Sequence, residues 1–115
     1  MTIPNLGMPQ AFTASEIEKA PDARGVYALL ANDGRVIFLG RAFGGIVFGT
    51  IRQELGKHLA GSSDACPQVA THYTCEVCDQ PEAALARHLE EYKIHHEGKL
   101  PPCNKPSDED LLRGS

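Results

Sequence analysis

The chain has 115 residues, 42% of them hydrophobic, and its 11 basic and 15 acidic residues give a net charge of −4. This length supports one hydrophobic core and is too short for two. An acidic balance argues against non-specific nucleic-acid binding by the whole domain, which usually requires a basic face. No apolar run approaches the roughly 18–20 residues that span a bilayer, and the N-terminus lacks a signal-peptide pattern, so we expect a soluble cytoplasmic protein without membrane contact.

The basic residues are concentrated in one part of the sequence. Between Arg24 and Ala60 there are five basic residues and two acidic ones, although the chain as a whole is acidic. A basic segment on an acidic body is compatible with a phosphate-facing surface, and an ordinary solvated surface is the alternative.

The N-terminal part divides into an arm and the start of a folded domain. Residues 1–12 contain two prolines and a glycine, which predicts an irregular arm. Residues 13–106 are predicted to form a single domain. Thr13 and Glu16 have the spacing of a capping box, so a short helix should begin there and end at Pro21.

The most informative stretch runs from Gly25 to Gly40. Two apolar runs flank an Asp33-Gly34 dipeptide, which is a strong signal for a β-hairpin turn. If these two residues are at the centre of the turn, Tyr27 lies opposite Gly40. A phenol opposite a residue without a side chain leaves room for a ligand, and a packed strand tyrosine is the alternative. Strand alternation then places four side chains on one face of the pair: Tyr27, Leu29, Val36 and Phe38.

Four further elements follow the hairpin in the sequence. Apolar residues repeat every four positions over 46–59, which predicts a helix. Residues 69–78 are rich in residues that favour strands, which predicts a third strand. A second helix is predicted over 82–97, ended by Gly98. A short C-terminal helix or tail is predicted over 107–115.

The helix over 82–97 carries two adjacent carboxylates. With Leu89 at the centre of the buried face, Glu90 lies on the flank and Glu91 points away, so Glu90 is expected to be the sheltered carboxylate. The buried stripe is predicted to consist of Leu85, Ala86, Leu89 and Tyr92.

Four short motifs, taken in order, resemble those of the GIY-YIG nuclease family. The likeness covers about residues 20–105, and it rests on the order and spacing of the motifs. They are Gly25-Val26-Tyr27, Phe38-Leu39-Gly40, the run Gln80-Pro81-Glu82-Ala83-Ala84 followed by Glu90, and Pro101-Pro102-Cys103-Asn104.

The resemblance implies an α+β fold with a small three-stranded antiparallel sheet flanked by helices. It also implies hydrolysis of DNA phosphodiester bonds with one Mg²⁺ or Mn²⁺ ion. By this likeness Tyr27 would activate the attacking water or orient the phosphate, and Glu90 would hold the ion. A single carboxylate is sufficient when water and substrate supply the other oxygens.

The remaining candidate residues also follow from this likeness. A guanidinium would neutralise charge that develops on the phosphate, and Arg41 or Arg52 would supply it. His58 would complete the catalytic set. Phe38, Gly40 and Asn104 would lie next to the site, and for Asn104 a structural bond to its own loop is the alternative.

The sequence departs from the family pattern at two positions. Phe38 stands where a second tyrosine is usual, and Glu54 stands where an arginine usually precedes His58 by four residues. A carboxylate there would repel a phosphate. The alternative function is therefore a catalytically inactive module of the same fold that binds nucleic acid or protein. An active nuclease of this size would need a homodimer or a protein partner to gain affinity for DNA.

The cysteines allow one more kind of site. Cys75 and Cys78 have the two-residue gap of zinc and redox motifs, and Cys66 and Cys103 could add ligands. Alternation along a strand would send Cys75 and Cys78 to opposite faces, so free thiols are the expectation for these cysteines.

Overall fold

A computed structural model of the chain describes residues 9–44, 49–59 and 70–104. Within these ranges, no helix is long and apolar enough to cross a membrane. The elements in chain order are β1 (Gln10–Ala11), α1 (Ala14–Ile17), β2 (Gly25–Leu30), β3 (Val36–Ala42), α2 (Ile51–Leu59), β4 (His72–Val77) and α3 (Pro81–His95).

The strands form one antiparallel sheet in the order β1-β4-β2-β3. The prediction of an α+β fold is confirmed, but the prediction of three strands is wrong, because the described residues form a sheet of four. The additional strand is β1, which lies in the predicted irregular arm and pairs Gln10 with Tyr73. Two residues are too few to show a strand period, so the sequence could not reveal this strand.

The hairpin has the predicted register but a different turn. Tyr27 lies opposite Gly40, as predicted. The Gly34 N–H donates to the Ala31 carbonyl over 2.9 Å, so residues 32–33 form the centre of the turn. Gly34 follows them with a φ of 88°, a left-handed value that glycine adopts without strain.

This longer turn produces an irregularity in the pairing. The register shifts between Leu29 and Leu30, so that Leu30 pairs with Val36. Ile37 is the extra residue on β3, because Leu29 pairs with Phe38 and Leu30 with Val36. An extra residue of this kind reverses the face of the side chains that precede it in the strand. The predicted face is therefore wrong for Val36, whose place beside Leu29 is taken by Ile37.

Helices pack on both faces of the sheet. One face packs against α1 and α2, and we call it the α2 face; the other packs against α3, and we call it the α3 face. The core of the α2 face includes Phe12, Ile17, Tyr27, Leu29, Ile37, Ile51, Leu55 and Tyr73. The core of the α3 face consists of Val26, Ala28, Leu30, Val36, Leu39, Ala84, Leu85 and Leu89.

The buried stripe of α3 differs from the predicted one. Ala86 is exposed, whereas Ala84 and His88 are buried beside Leu85 and Leu89. At about 100° per residue, Glu90 lies roughly 140° from Leu85 and 160° from His88. Glu90 therefore points away from the sheet and is exposed, and the prediction that it would be sheltered is wrong.

The outer edge of β3 is covered by residues 101–104, which we call the edge clamp. The Cys103 N–H donates to the Ile37 carbonyl over 2.8 Å. The Asn104 side chain accepts from the Leu39 N–H over 2.8 Å and donates to the Leu39 carbonyl over 2.9 Å. Asn104 thus bonds to the backbone of β3 much as a neighbouring strand would. Its role here is structural, but its partner is Leu39 on β3 and not its own loop, which the alternative had predicted.

The cysteines follow the predicted separation, with one correction. Cys75 packs with the α2 face and Cys78 with the α3 face, and both are free thiols. Cys103 is disulfide-bonded, so the expectation of a free thiol is wrong for that residue. Cys66 and the predicted C-terminal segment over 107–115 lie outside the described residues.

Candidate functional site

Tyr27 and His58 form a buried hydrogen-bonded pair on the α2 face. The Tyr27 hydroxyl lies 2.9 Å from Nε2 of His58, and the two residues are only 2% and 8% exposed. Burial lowers the pKa of His58 below its ordinary 6.5, with a further lowering from Lys57 that opposes the raising effect of Glu54. The imidazole is therefore neutral near pH 7, and in the tautomer that carries its proton on Nδ1 the Nε2 accepts the hydroxyl proton of Tyr27.

Phe38 and Gly40 determine where the phenol ring lies. The Phe38 ring centroid is 5.0 Å from that of His58 and 6.1 Å from that of Tyr27. A Cβ atom built on Gly40 would lie 2.5 Å from Cζ of Tyr27. The space opposite Tyr27 is thus filled by the phenol ring itself. We call Tyr27, Phe38 and His58 the aromatic–histidine cluster.

Arg41 lies on the other face of the sheet. It pairs with Val26, a residue of the α3-face core, so its side chain leaves β3 on that face. Its guanidinium carbon lies 4.9 Å from the ring centroid of Phe43. Its Nε is buried and has no hydrogen-bond partner among the described residues. Arg41 therefore does not join the aromatic–histidine cluster.

Arg52 is exposed, and its contact is with the segment that follows α1. Its Nε donates to the Ala20 carbonyl over 3.0 Å. Glu54, which stands at the arginine position of the family pattern, is half-buried and lies 2.8 Å from the Lys57 ammonium. The charged group that influences His58 from position 54 is therefore a carboxylate.

Glu90 and Tyr27 lie on opposite sides of the sheet, and Tyr27 is buried in the core. Glu90 is on the outer side of α3, which packs on the face opposite Tyr27, and it makes no hydrogen bond or ion pair within the described ranges. No group of three His, Cys, Asp or Glu side chains in the described part of the chain could hold a metal ion. The residues present do not fit a metal ion shared by Tyr27 and Glu90.

A polar pair that was not predicted from the sequence lies beneath α3. His88 is 4% exposed, and its Nε2 lies 3.2 Å from Oε1 of Glu76 on β4. The same oxygen is 3.7 Å from Nη2 of Arg87. The sequence did contain a feature that could have predicted the burial of His88. This histidine follows Leu85 by three residues, and the helix period places that position on the buried face.

An open cleft of about 530 Å³ lies at one end of the sheet. Here β2 begins and the paired strands β3 and β4 end. We call it the sheet-end cleft. Its lining consists of Asp22, Ala23, Arg24, Phe43, Gly44, Thr50, Val77, Cys78 and Asp79.

The chain matches no protein-family model, and no curated protein matches its sequence. The likeness to the GIY-YIG family therefore remains a proposal from the motifs.

Proposed function

We propose that this chain is a GIY-YIG-like domain that binds nucleic acid through its phosphates and does not cleave it. The observation that supports this most strongly is the placement of Tyr27 and Glu90 on opposite sides of the sheet, with Tyr27 buried in the core. A nuclease of this family pattern would need both residues at one phosphate, and here the sheet and α3 lie between them.

The state of Tyr27 supports the same proposal. Its side chain is 2% exposed and its hydroxyl is bonded to His58. A group that activates water must lie within hydrogen-bonding reach of that water. A phenol that is buried and bonded within the core stabilises the fold instead.

The basic segment supplies the contacts for binding. Two of its cations are engaged in ion pairs with neighbouring carboxylates, Arg35 with Asp33 and Lys57 with Glu54. Its other three cations have no carboxylate partner within the described residues: Arg24, Arg41 and Arg52. Guanidinium groups of this kind pair well with phosphate oxygens.

A metal-dependent DNA endonuclease is the second candidate, and the aromatic–histidine cluster favours it. Tyr27, Phe38 and Gly40 occupy the motif positions and contact one another, and His58 joins them. Mg²⁺ or Mn²⁺ would supply Lewis-acid polarisation of the phosphate in such an enzyme. The carboxylate that would hold the ion, Glu90, lies on the opposite side of the sheet.

Two measurements on the full chain separate these candidates. Binding of a fluorescein-labelled single-stranded oligonucleotide is measured by anisotropy in EDTA, and nicking of supercoiled plasmid is measured with Mn²⁺. We expect binding in EDTA and no nicking. Tyr27→Phe and Glu90→Gln should leave binding unchanged.

Glu91→Gln is the matched control for Glu90→Gln, because both remove one exposed carboxylate from α3. If the wild-type chain nicks the plasmid and only Tyr27→Phe and Glu90→Gln abolish nicking, the endonuclease is correct. Absence of oligonucleotide binding at low ionic strength would contradict the proposed binding function.

A further inference from the structure

We infer that the sheet-end cleft is a phosphate-binding site, with Arg24 as its main contact and the Arg41–Phe43 pair beside it. This inference assigns the phosphate contact of the proposed function to one place on the surface. It rests on that function for the source of the phosphate, which is the nucleic acid. The cleft is separate from the aromatic–histidine cluster and contains none of its residues.

The cleft has the size of a small-molecule site. Its volume of about 530 Å³ falls within the roughly 300–1,000 Å³ common for such sites. Val77 is 55% exposed at its wall, and the Phe43 side chain also lines it. A phosphate group with its attached sugar could therefore be held there with partial burial.

Arg24 has the properties of an available anion contact. It is exposed, lines the cleft, and has no ion pair or side-chain hydrogen bond within the described chain. Gly44 approaches its stem closely, since a Cβ built on Gly44 would lie 3.1 Å from Cβ of Arg24. Gly44 has a φ of 82°, which other residues rarely adopt. This close approach leaves no space for a side chain at position 44 beside Arg24.

Arg41 provides a second cation next to the cleft. Its guanidinium lies against Phe43, which lines the cleft, at 4.9 Å from the ring centroid. Its Nε is buried without a partner among the described residues. A phosphate held by the other guanidinium nitrogens would compensate the positive charge at this site.

Two carboxylates at the cleft limit its affinity. The Thr50 hydroxyl donates to Oδ1 of Asp22 over 2.8 Å, which occupies part of that carboxylate. Asp79 is exposed and has no such partner in the described residues. An anion must therefore contact Arg24 closely, so that its attraction to Arg24 exceeds its repulsion from Asp79. We therefore expect binding at this cleft to be selective and weak.

The test compares two arginines that carry the same charge. Arg24→Gln and Arg35→Gln each remove one exposed cation, but Arg35 lies at the hairpin turn, at the opposite end of the sheet, and pairs with Asp33. Binding of the labelled oligonucleotide is measured in EDTA for both variants, and inorganic phosphate is added as a competitor. We expect Arg24→Gln to weaken binding about tenfold, Arg35→Gln less than twofold, and Asp79→Asn to strengthen it about threefold.

The outcomes distinguish this inference from the proposed function. Equal weakening by Arg24→Gln and Arg35→Gln would mean that binding is non-specific and would overturn the inference, while the binding function stands. If the oligonucleotide does not bind but phosphate shifts the amide resonance of Arg24, the cleft binds free phosphate and the nucleic-acid function fails. If neither ligand binds, both proposals are wrong.

Discussion

The burial of His58 in the core makes the stability of this protein depend on pH. Burial keeps the His58 pKa below its ordinary value of 6.5. As the pH falls below that value, the unfolded chain takes up a proton that the folded chain does not, so unfolding becomes easier. The free energy of unfolding should therefore fall between about pH 6.5 and the lowered pKa, by up to roughly 1.4 kcal/mol per pH unit.

Urea unfolding between pH 7.5 and 5.5 measures this effect. His58→Gln should flatten the profile, because glutamine can accept from the Tyr27 hydroxyl and does not titrate. His95→Gln is the control, since His95 is exposed on the last turn of α3. An equal flattening by His95→Gln would contradict the assignment to His58.

Two glycines should respond in opposite ways to the same added methyl group. Gly40→Ala would place a carbon 2.5 Å from Tyr27 Cζ, and the ring is too closely packed to retreat. We expect a loss of about 1–3 kcal/mol of unfolding free energy. Gly56→Ala meets nothing within 4 Å in α2 and should stabilise the protein by about 0.5–1 kcal/mol. Thermal and urea unfolding of both variants provide the comparison.

At the scale of elements, β3 depends on the side chain of Asn104. Asn104→Asp removes the donor to the Leu39 carbonyl and places a negative charge beside that oxygen. We expect a loss of about 2 kcal/mol in urea unfolding. Asn32→Asp makes the same chemical change at an exposed position of the hairpin turn, where aspartate is well tolerated, and should change stability by less than about 0.5 kcal/mol.

Local sequence patterns predicted which helices and strands form better than they predicted where each begins and ends. The Asp33-Gly34 dipeptide between apolar runs predicted the hairpin, and its strands carry the expected register of Tyr27 with Gly40. The turn was misassigned because Asp-Gly serves both two-residue turns and longer turns that end in a left-handed glycine. The helix predicted over 46–59 is observed as Ile51–Leu59, with residues 45–48 outside the described ranges.

The candidate site was harder to predict than the fold, because it depends on which face of the sheet each residue occupies. Tyr27, Gly40 and His58 were named from the motifs, and they lie together. Glu90 was named in the same way, yet it lies on the outer side of α3. Arg41 was named as a stand-in for the arginine of the family pattern, because it follows Phe38 on the same strand, and it lies on the α3 face. The rotation of a helix about its axis is set by tertiary packing, and here the buried face consists of Pro81, Ala84, Leu85, His88 and Leu89. The apolar stripe read from the sequence does not fix that rotation.

At the scale of the whole molecule, the net charge limits how nucleic acid can bind. A chain of net charge −4 gains little long-range attraction, so only a few close contacts should form. Two phosphate contacts through Arg24 and Arg41 predict that the logarithm of affinity falls with the logarithm of salt concentration with a slope of about −1.4. Anisotropy titrations at several NaCl concentrations measure the slope, and a value steeper than about −4 would indicate a much larger basic surface.

The two edge strands of the sheet affect whether molecules of this protein associate with one another at high concentration. One outer strand, β1, has only two residues, and the other, β3, is covered by Asn104 and Cys103. Uncovered strand edges are the usual starting point for aggregation, because a second chain can continue the sheet. Residues 101–104 therefore also protect the protein against self-association through β3, and a chain shortened before Pro101 would lose that protection.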